Sequence, residues 1–327
     1  MNVATIGTNW ITQAFIEAAG EVEDFHLYAV YSREEERARA FAATTQADTY
    51  YADLDAMFHD KNIDAVYVAS PTRYHAEQAM AAMEQGKHVL CEKPLCSNER
   101  EAQRLIDTAR RHNVVLMEAV KNLYTPGFTA VQQWLPKIGT VRKALISFCQ
   151  YSSRYDAYLN GEVLNAFKPS LSNGATMDIG VYCLHPLQYL FGEPRQVKAA
   201  GYVLESGVDG ETNVLLSYDN MDAMASYSKI TASRSASEIQ GEKGTLYIET
   251  IHQPQKVTFV SVKGETEEAD IQQEKPDMYY EAAYFIEACL KNDTTTLNWH
   301  NSQMVMRQTD QIRKDLGVVF EADRALT

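Results

Sequence analysis

Strand-like and helix-like segments alternate over the first 120 residues, and that alternation leaves few architectures open to the chain. Val3-Ala4-Thr5-Ile6 is an apolar run that stops at Gly7, and Ile11, Phe15, Ala18 and Ala19 follow at helical spacing. Further strands are expected at 26–31, 64–69, 88–91 and 114–117. Helices are expected at 34–43, at 76–85 with Gly86 closing it, and from Ser97 as cap to about Arg111. Such alternation builds a parallel, doubly wound sheet through right-handed crossovers. Sheets of this kind take ligands at the carboxyl ends of their strands, so the residues that follow each strand are where chemistry is expected.

After about residue 121 the pattern changes. Stretches near 141–151, 196–204, 212–218, 223–230, 244–250 and 256–262 read as strands without helices between most neighbours, joined by turn signals such as Asp209-Gly210 and Asp219-Asn220. Helical patterns lie at 178–191, 279–290 and 302–316. The expectation is an α/β protein: a Rossmann-type nucleotide-binding domain over 1–120, then an α+β domain over 121–327. The open, mainly antiparallel sheet of that second domain faces a substrate cleft or a partner subunit. A length of 327 residues accommodates two such domains.

Composition removes several function classes. With 30 basic against 44 acidic residues, the formal charge of −14 disfavours a nucleic-acid backbone or an anionic membrane as partner. No apolar run is long enough to span a bilayer. The five cysteines form no Cys-x-x-Cys pair, which suits free thiols in a reducing compartment and a cytoplasmic location. Cys91, Cys96, His75 and His88 lack zinc-ligand spacing, so no metal is expected, and no Gly-x-Ser-x-Gly elbow of a hydrolase occurs.

The strand ends carry the candidate chemistry. Gly7-Thr8-Asn9-Trp10-Ile11 meets only the first glycine of the dinucleotide fingerprint. A left-handed Asn9 would still let exposed amides at the next helix start meet a pyrophosphate; the ordinary alternative is a generic strand–turn–helix. The second strand ends Tyr31-Ser32-Arg33 with no acid until Glu34. Arg33 there favours the extra phosphate of NADP, with NAD possible, unless it is simply a solvated residue at a helix start. The most informative stretch is Ser70-Pro71-Thr72-Arg73-Tyr74-His75 followed by Glu92-Lys93-Pro94. Pro94 holds Lys93 in extended backbone just past a buried strand, and a cis Lys93-Pro94 bond is open. A lysine fixed there can donate a proton or orient a hydroxyl.

These paired segments resemble the Gfo/Idh/MocA oxidoreductase family, whose signature is a Thr/Ser-Pro-x-x-x-His run followed by Glu-Lys-Pro. Leu116-Met117-Glu118-Ala119, Asp178-Ile179-Gly180-Val181-Tyr182-Cys183 and Gly207-Val208-Asp209-Gly210 look most like its dimeric dihydrodiol dehydrogenase and xylose dehydrogenase branch. The resemblance covers nearly the whole chain. It implies a cofactor site at Gly7, Thr8, Asn9, Trp10, Ile11, Ser32, Arg33, Ser70, Pro71, Thr72, His75, Glu92 and Lys93. The substrate it implies is a sugar, a polyol or a cyclic diol. It departs from that branch at Lys121 and Leu123, where the branch has an aromatic residue and an arginine, which leaves the branch's substrate, a dihydrodiol or a pentose, open and allows a cation to come in from another position.

Asp178, Tyr182 and His185 stand at i, i+4 and i+7 and would share one helix face, with Pro186 expected to kink or split that helix. The resemblance implies that Tyr182 exchanges the proton on the substrate oxygen, that Lys93 lowers the Tyr182 pKa or binds the same oxygen, and that Asp178 and His185 position substrate. Otherwise Tyr182 is a core tyrosine, Asp178 a helix cap and His185 a structural histidine. The aromatic, hydroxyl-rich run 150–158, with Arg154 and Tyr155, suits polyol binding or else a lid or dimer contact. Lys121 is a further substrate-binding candidate. The expected activity is reversible hydride transfer between a nicotinamide and a hydroxyl-bearing carbon in a homodimer or homotetramer assembled through the C-terminal sheet. A non-catalytic dinucleotide sensor and a cofactor-recycling glycosidase are the alternatives.

Overall fold

Six strands, all parallel, make the sheet of the first unit. In chain order its elements are β1 (Asn2–Ile6), α1 (Trp10–Ala19), β2 (His26–Tyr31), α2 (Glu35–Thr45), β3 (Thr49–Tyr51), α3 (Leu54–His59), β4 (Ala65–Val68), α4 (His75–Glu84), β5 (His88–Glu92), α5 (Glu99–His112) and β6 (Leu116–Ala119). The sheet order is β3-β2-β1-β4-β5-β6. The order reverses between β1 and β4, which is where doubly wound sheets open a crevice for a ligand. Every side chain of the central strand β4 and of the edge strand β6 is buried, as expected for a parallel sheet covered on both faces. Burying each large aliphatic there is worth about 1.5–3 kcal/mol.

The computed structural model describes residues 1–294 and 299–324. The first unit takes Met1–Ala119 together with Lys275–Ser302, and the second takes Val120–Glu274 with Gln303–Thr327. This division differs from a single cut near residue 120. The helix Asp277–Leu290 returns to pack on α1, Lys275 pairs with Glu21, and the Trp299 indole donates to the Leu116 carbonyl at 2.7 Å. Helical periodicity announces those segments but not the surface they cover.

Local details also depart from expectation. Asn98, not Ser97, caps α5: its Oδ1 accepts the Glu101 amide at 3.0 Å, while the Ser97 amide donates to the Glu101 carboxylate at 2.9 Å. The short β3 and α3 were not anticipated, because three or six residues carry too little periodicity to stand out.

The second unit contains α6 (Pro126–Trp134), β7 (Val141–Cys149), α7 (Tyr155–Leu159), α8 (Val181–Phe191), β8 (Gln196–Val203), β9 (Asp209–Ser217), β10 (Asp222–Ser228), β11 (Ser237–Gly241), β12 (Gly244–Ile248), β13 (Val257–Ser261) and β14 (Thr266–Glu268). Its eight-stranded sheet runs β14-β13-β12-β11-β7-β10-β9-β8, antiparallel throughout except between β7 and β10. One face packs its alternate side chains, including Ile146, Phe148, Val214 and Ala225, against Cys183, Leu184 and Leu187 of α8. Asp209-Gly210 does not form a turn. It opens β9, and the turn comes earlier, with the Leu204 and Val208 backbones paired and Gly207 at φ +92°. Asp219-Asn220 does turn, joining β9 to β10. Helix α8 runs through Pro186 without splitting; the irregularity lies just before it, in a π turn over Thr176–Gly180.

Candidate active site

Candidate residues fall in both units. In the first unit they follow the carboxyl ends of β1, β2, β4 and β5. Gly7 holds φ +119°, and a Cβ at this position would lie 2.8 Å from the Ala69 carbonyl oxygen. Only glycine lets the β1 and β4 ends approach so closely. Asn9 is extended (φ −93°) rather than left-handed, because it is the cap of α1: its Oδ1 accepts the Ile11 and Thr12 amides at 3.0 and 3.1 Å, and its Nδ2 donates to Ala69 O. The Ile11 amide is therefore already taken. The amides of Thr8, Asn9 and Trp10 have no partner among the described residues, and Trp10 is 69% exposed.

At the end of β2 the Ser32 hydroxyl accepts the Glu34 amide, and Arg33 is exposed beside Tyr31. The Tyr31 phenol is pushed up by burial, partly offset by the Arg33 charge.

The loops after β4 and β5 are tied by His75. Its Nε2 lies 2.8 Å from the Ser70 carbonyl and its Nδ1 3.0 Å from the Pro94 carbonyl, with the ring buried. Burial drives the imidazole pKa down, with the nearby Lys93 charge adding to the effect. A neutral ring donates to only one of those carbonyls. His75 thus acts as a clamp between two strand ends rather than a group that reaches outward. Ser70 Oγ donates to Gln78 at 2.6 Å, and buried Thr72 begins a 3-10 turn after Pro71. Glu92 is buried, taking the Tyr67 hydroxyl at 2.6 Å and the Lys93 amide at 3.1 Å. Lys93 precedes a cis bond to Pro94 and is half-buried. The Leu95 amide is received by buried Glu118 at 2.9 Å.

In the second unit the π turn carries Asp178 and runs into α8, which carries Tyr182 and His185. Tyr182 is half-buried with its ring edge-on to Phe148 (5.9 Å) and His252 (6.3 Å), which stack on each other at 3.8 Å. His185 is 2% exposed. Asp178 is not a helix cap: its Oδ2 lies 2.5 Å from the Lys229 ammonium. Lys229 Nζ also sits 5.2 Å from the Phe167 ring, against which Tyr155 and Tyr158 pack at 5.8 and 5.4 Å. Tyr155 and Asp178 therefore share one neighbourhood. The exposed Arg154 side chain has no partner among the described residues, and half-buried Lys121 begins a separate 3-10 turn.

Sequence reasoning missed Lys229, Asp209 and His252. The hints were the departure at Lys121 and Leu123, which allowed a cation to come in from another position, and the Gly207-Val208-Asp209-Gly210 block, which marked Asp209 without a role. Among the described residues no cluster of three or more His, Cys, Asp or Glu is placed to hold a metal, and no helix is long and apolar enough to cross a membrane.

Residues 1–120 match the family described as "Oxidoreductase family, NAD-binding Rossmann fold", and residues 130–247 match the GFO/IDH/MocA C-terminal domain. The chain is 49% identical to scyllo-inositol 2-dehydrogenase (NADP(+)) IolU of Bacillus subtilis (strain 168), over 98% of this chain and 99% of that one. It is 30% identical to trans-1,2-dihydrobenzene-1,2-diol dehydrogenase of Xenopus tropicalis, over 91% and 92%. Among solved structures, a levoglucosan dehydrogenase in complex with NADH and levoglucosan shares the fold at TM-score 0.86 and 21% identity, covering 97% of each chain.

Proposed function

This chain belongs to the Gfo/Idh/MocA oxidoreductase family, and on that footing we propose that it is an NADP-dependent dehydrogenase acting on a secondary hydroxyl of a cyclic polyol or sugar. The observation that carries the reading is full-length similarity, at 49% identity, to a relative named for NADP and scyllo-inositol.

The first unit fits a dinucleotide. The Gly7 cradle leaves no room for a side chain, and the Thr8, Asn9 and Trp10 amides at the start of α1 suit a pyrophosphate. Ser32 and Arg33 at the end of β2 would hold the 2′-phosphate, since a guanidinium matches phosphate by paired hydrogen bonds. Ser70, Pro71, Thr72, Glu92 and Lys93 would complete the site, with His75 fixing the two loops. A nicotinamide held there would supply the hydride acceptor for the hydroxyl-bearing carbon. In our reading Tyr182 moves the proton at the substrate oxygen, Lys93 lends its positive charge to the chemistry, and Asp178 accepts a hydrogen bond from a substrate hydroxyl. His185, Lys121, Arg154 and Tyr155 are the remaining substrate-side candidates.

The outer face of the second sheet supports self-association. Along one row the register brings Leu215, Met224 and Leu145 side by side, with Leu215 50% and Met224 41% exposed. A second copy of the chain is the proposed occupant, giving a homodimer or homotetramer. The five free thiols support a cytoplasmic location.

The test is a fluorescence titration with NADPH and NADH, then nicotinamide absorbance with scyllo-inositol, myo-inositol, D-xylose and a cyclic diol. Oxidation of at least one polyol with NADP is expected. With an aryl glycoside added to the panel, sugar release without net absorbance change would replace this reading by a recycling glycosidase, and NADPH binding without any turnover by a sensor.

A further inference from the structure

We propose that Lys229 is a positioning residue that sets the charge preference of the substrate site: it fixes Asp178 as a carboxylate and so selects an uncharged polyol over a carboxylated or phosphorylated sugar. The inference rests on the dehydrogenase reading above.

Lys229 follows β10, where two segments hold its backbone and a local turn follows it. Its amide donates to Gly210 O at 2.9 Å, its carbonyl accepts the Ser152 amide at 2.8 Å, and the preceding Ser228 hydroxyl accepts the Ile230 and Thr231 amides. The side chain runs inward beside Phe167 and ends 3.5 Å from Ala166 O and 2.5 Å from Asp178 Oδ2. A buried ammonium needs an anionic partner, because its hydration is not otherwise replaced. Asp178 is therefore kept ionised.

The pair is buried unevenly. Lys229 is 3% exposed and Asp178 35%, so a ligand meets the carboxylate end and never the ammonium. Hydroxyls of a neutral polyol donate to such a group. A carboxylate or phosphate on the substrate meets a like charge instead. The half-buried rings of Tyr155 and Tyr158, packed on Phe167, add apolar faces suited to the C–H face of a cyclic polyol. Nothing in Tyr227-Ser228-Lys229-Ile230 marks the lysine in sequence; the inward turn at the end of β10 makes it a partner.

The experiment measures dissociation constants calorimetrically on the NADP-bound protein for scyllo-inositol and D-glucose against D-glucuronate, alongside steady-state kinetics. Lys229→Met is expected to raise KM and the dissociation constant for the neutral polyol about tenfold, with kcat changed less and NADPH affinity unchanged, and Lys229→Arg to recover most of the loss. Asp178→Asn leaves the cation uncompensated and is expected to shift the neutral-to-charged preference by about tenfold or more towards D-glucuronate. Should Lys229→Met fail to fold by circular dichroism, the Lys229→Met/Asp178→Asn double variant is expected to fold and to show little charge preference. Unchanged preference in Asp178→Asn, or unchanged polyol affinity in Lys229→Met, overturns the proposal while leaving the dehydrogenase reading intact. A wild-type protein that binds NADPH but neither binds nor oxidises any polyol fails that reading, and the inference with it.

Discussion

Asp209 holds Thr176 twice: one carboxylate oxygen takes the Thr176 amide at 2.7 Å and its hydroxyl at 2.6 Å, and the same oxygen receives the Thr212 hydroxyl at 2.9 Å. Asp209 is 1% exposed, and the Thr176 hydroxyl also meets the buried Tyr227 phenol at 3.0 Å. The π turn that presents Asp178 is thus pinned at its first residue. Gly174 and Gly180 flank this anchor with no room for a Cβ, which would fall 2.3 Å from Asp209 Oδ1 and 2.7 Å from the Tyr227 ring. Hydrogen bonds to a buried charge are worth about 1.5–3 kcal/mol each, so Asp209→Asn should destabilise the protein by about 2–4 kcal/mol. Urea unfolding measures this. A loss below about 0.5 kcal/mol would show that the anchor is dispensable.

Lys93→Met should lower kcat/KM by about a thousandfold or more while NADPH affinity stays within a few-fold of wild type. Single-turnover absorbance and a fluorescence titration separate the two effects. Normal turnover in this variant would remove Lys93 from the chemistry.

Arg33→Ala should weaken NADPH binding by about ten- to a hundredfold, the worth of a charge-assisted contact to phosphate. NADH lacks that phosphate, so its affinity should not move. Equal losses for both cofactors would place Arg33 away from the 2′-phosphate.

Two histidines of the first unit make stability depend on pH. Burial lowers the pKa of His75 and of His88, and His88 Nδ1 accepts the Val115 amide at 2.9 Å, a bond only an unprotonated ring nitrogen can make. The unfolded chain protonates these rings near pH 6.5. Their contribution is therefore complete above that pH and lost as pH falls below it towards the depressed folded values. Each contributes a slope of at most about 1.4 kcal/mol per pH unit. The melting temperature should fall between pH 7 and pH 5, less steeply in His88→Asn, which keeps an acceptor without titrating. A flat profile over that window would contradict both assignments.

Leu215→Glu together with Met224→Glu should convert an oligomer to a monomer, read by sedimentation or light scattering, with secondary structure retained. These residues lie opposite each other on the exposed sheet face, where buried carboxylates would oppose association. An unchanged mass would move the interface elsewhere.

Much of this was legible in the sequence. The Val3–Ile6 run ending at Gly7, the buried run at 65–68 and the Glu92-Lys93-Pro94 triplet announce a parallel sheet with chemistry at its strand ends. Continuous apolar runs bounded by turn residues mark strands buried on both faces. The i, i+4 spacing of Asp178 and Tyr182 was visible in sequence, and the roles proposed for them came from the family resemblance. β11 was not, since Ser237–Gly241 contains a single large apolar residue and becomes a strand only because β7 and β12 lie on either side of it.

By itself, then, the sequence determined the two fold classes and the strand ends where the candidate residues stand, because backbone periodicity and local sterics act over a few residues. Only the tertiary structure decided that Lys229 meets Asp178 across 51 residues, that His75 bridges two loops, and that residues 275–302 return to the first unit. Those pairings depend on chain topology and on the need of buried polar groups for partners, and nothing in short-range sequence specifies which partner is reached.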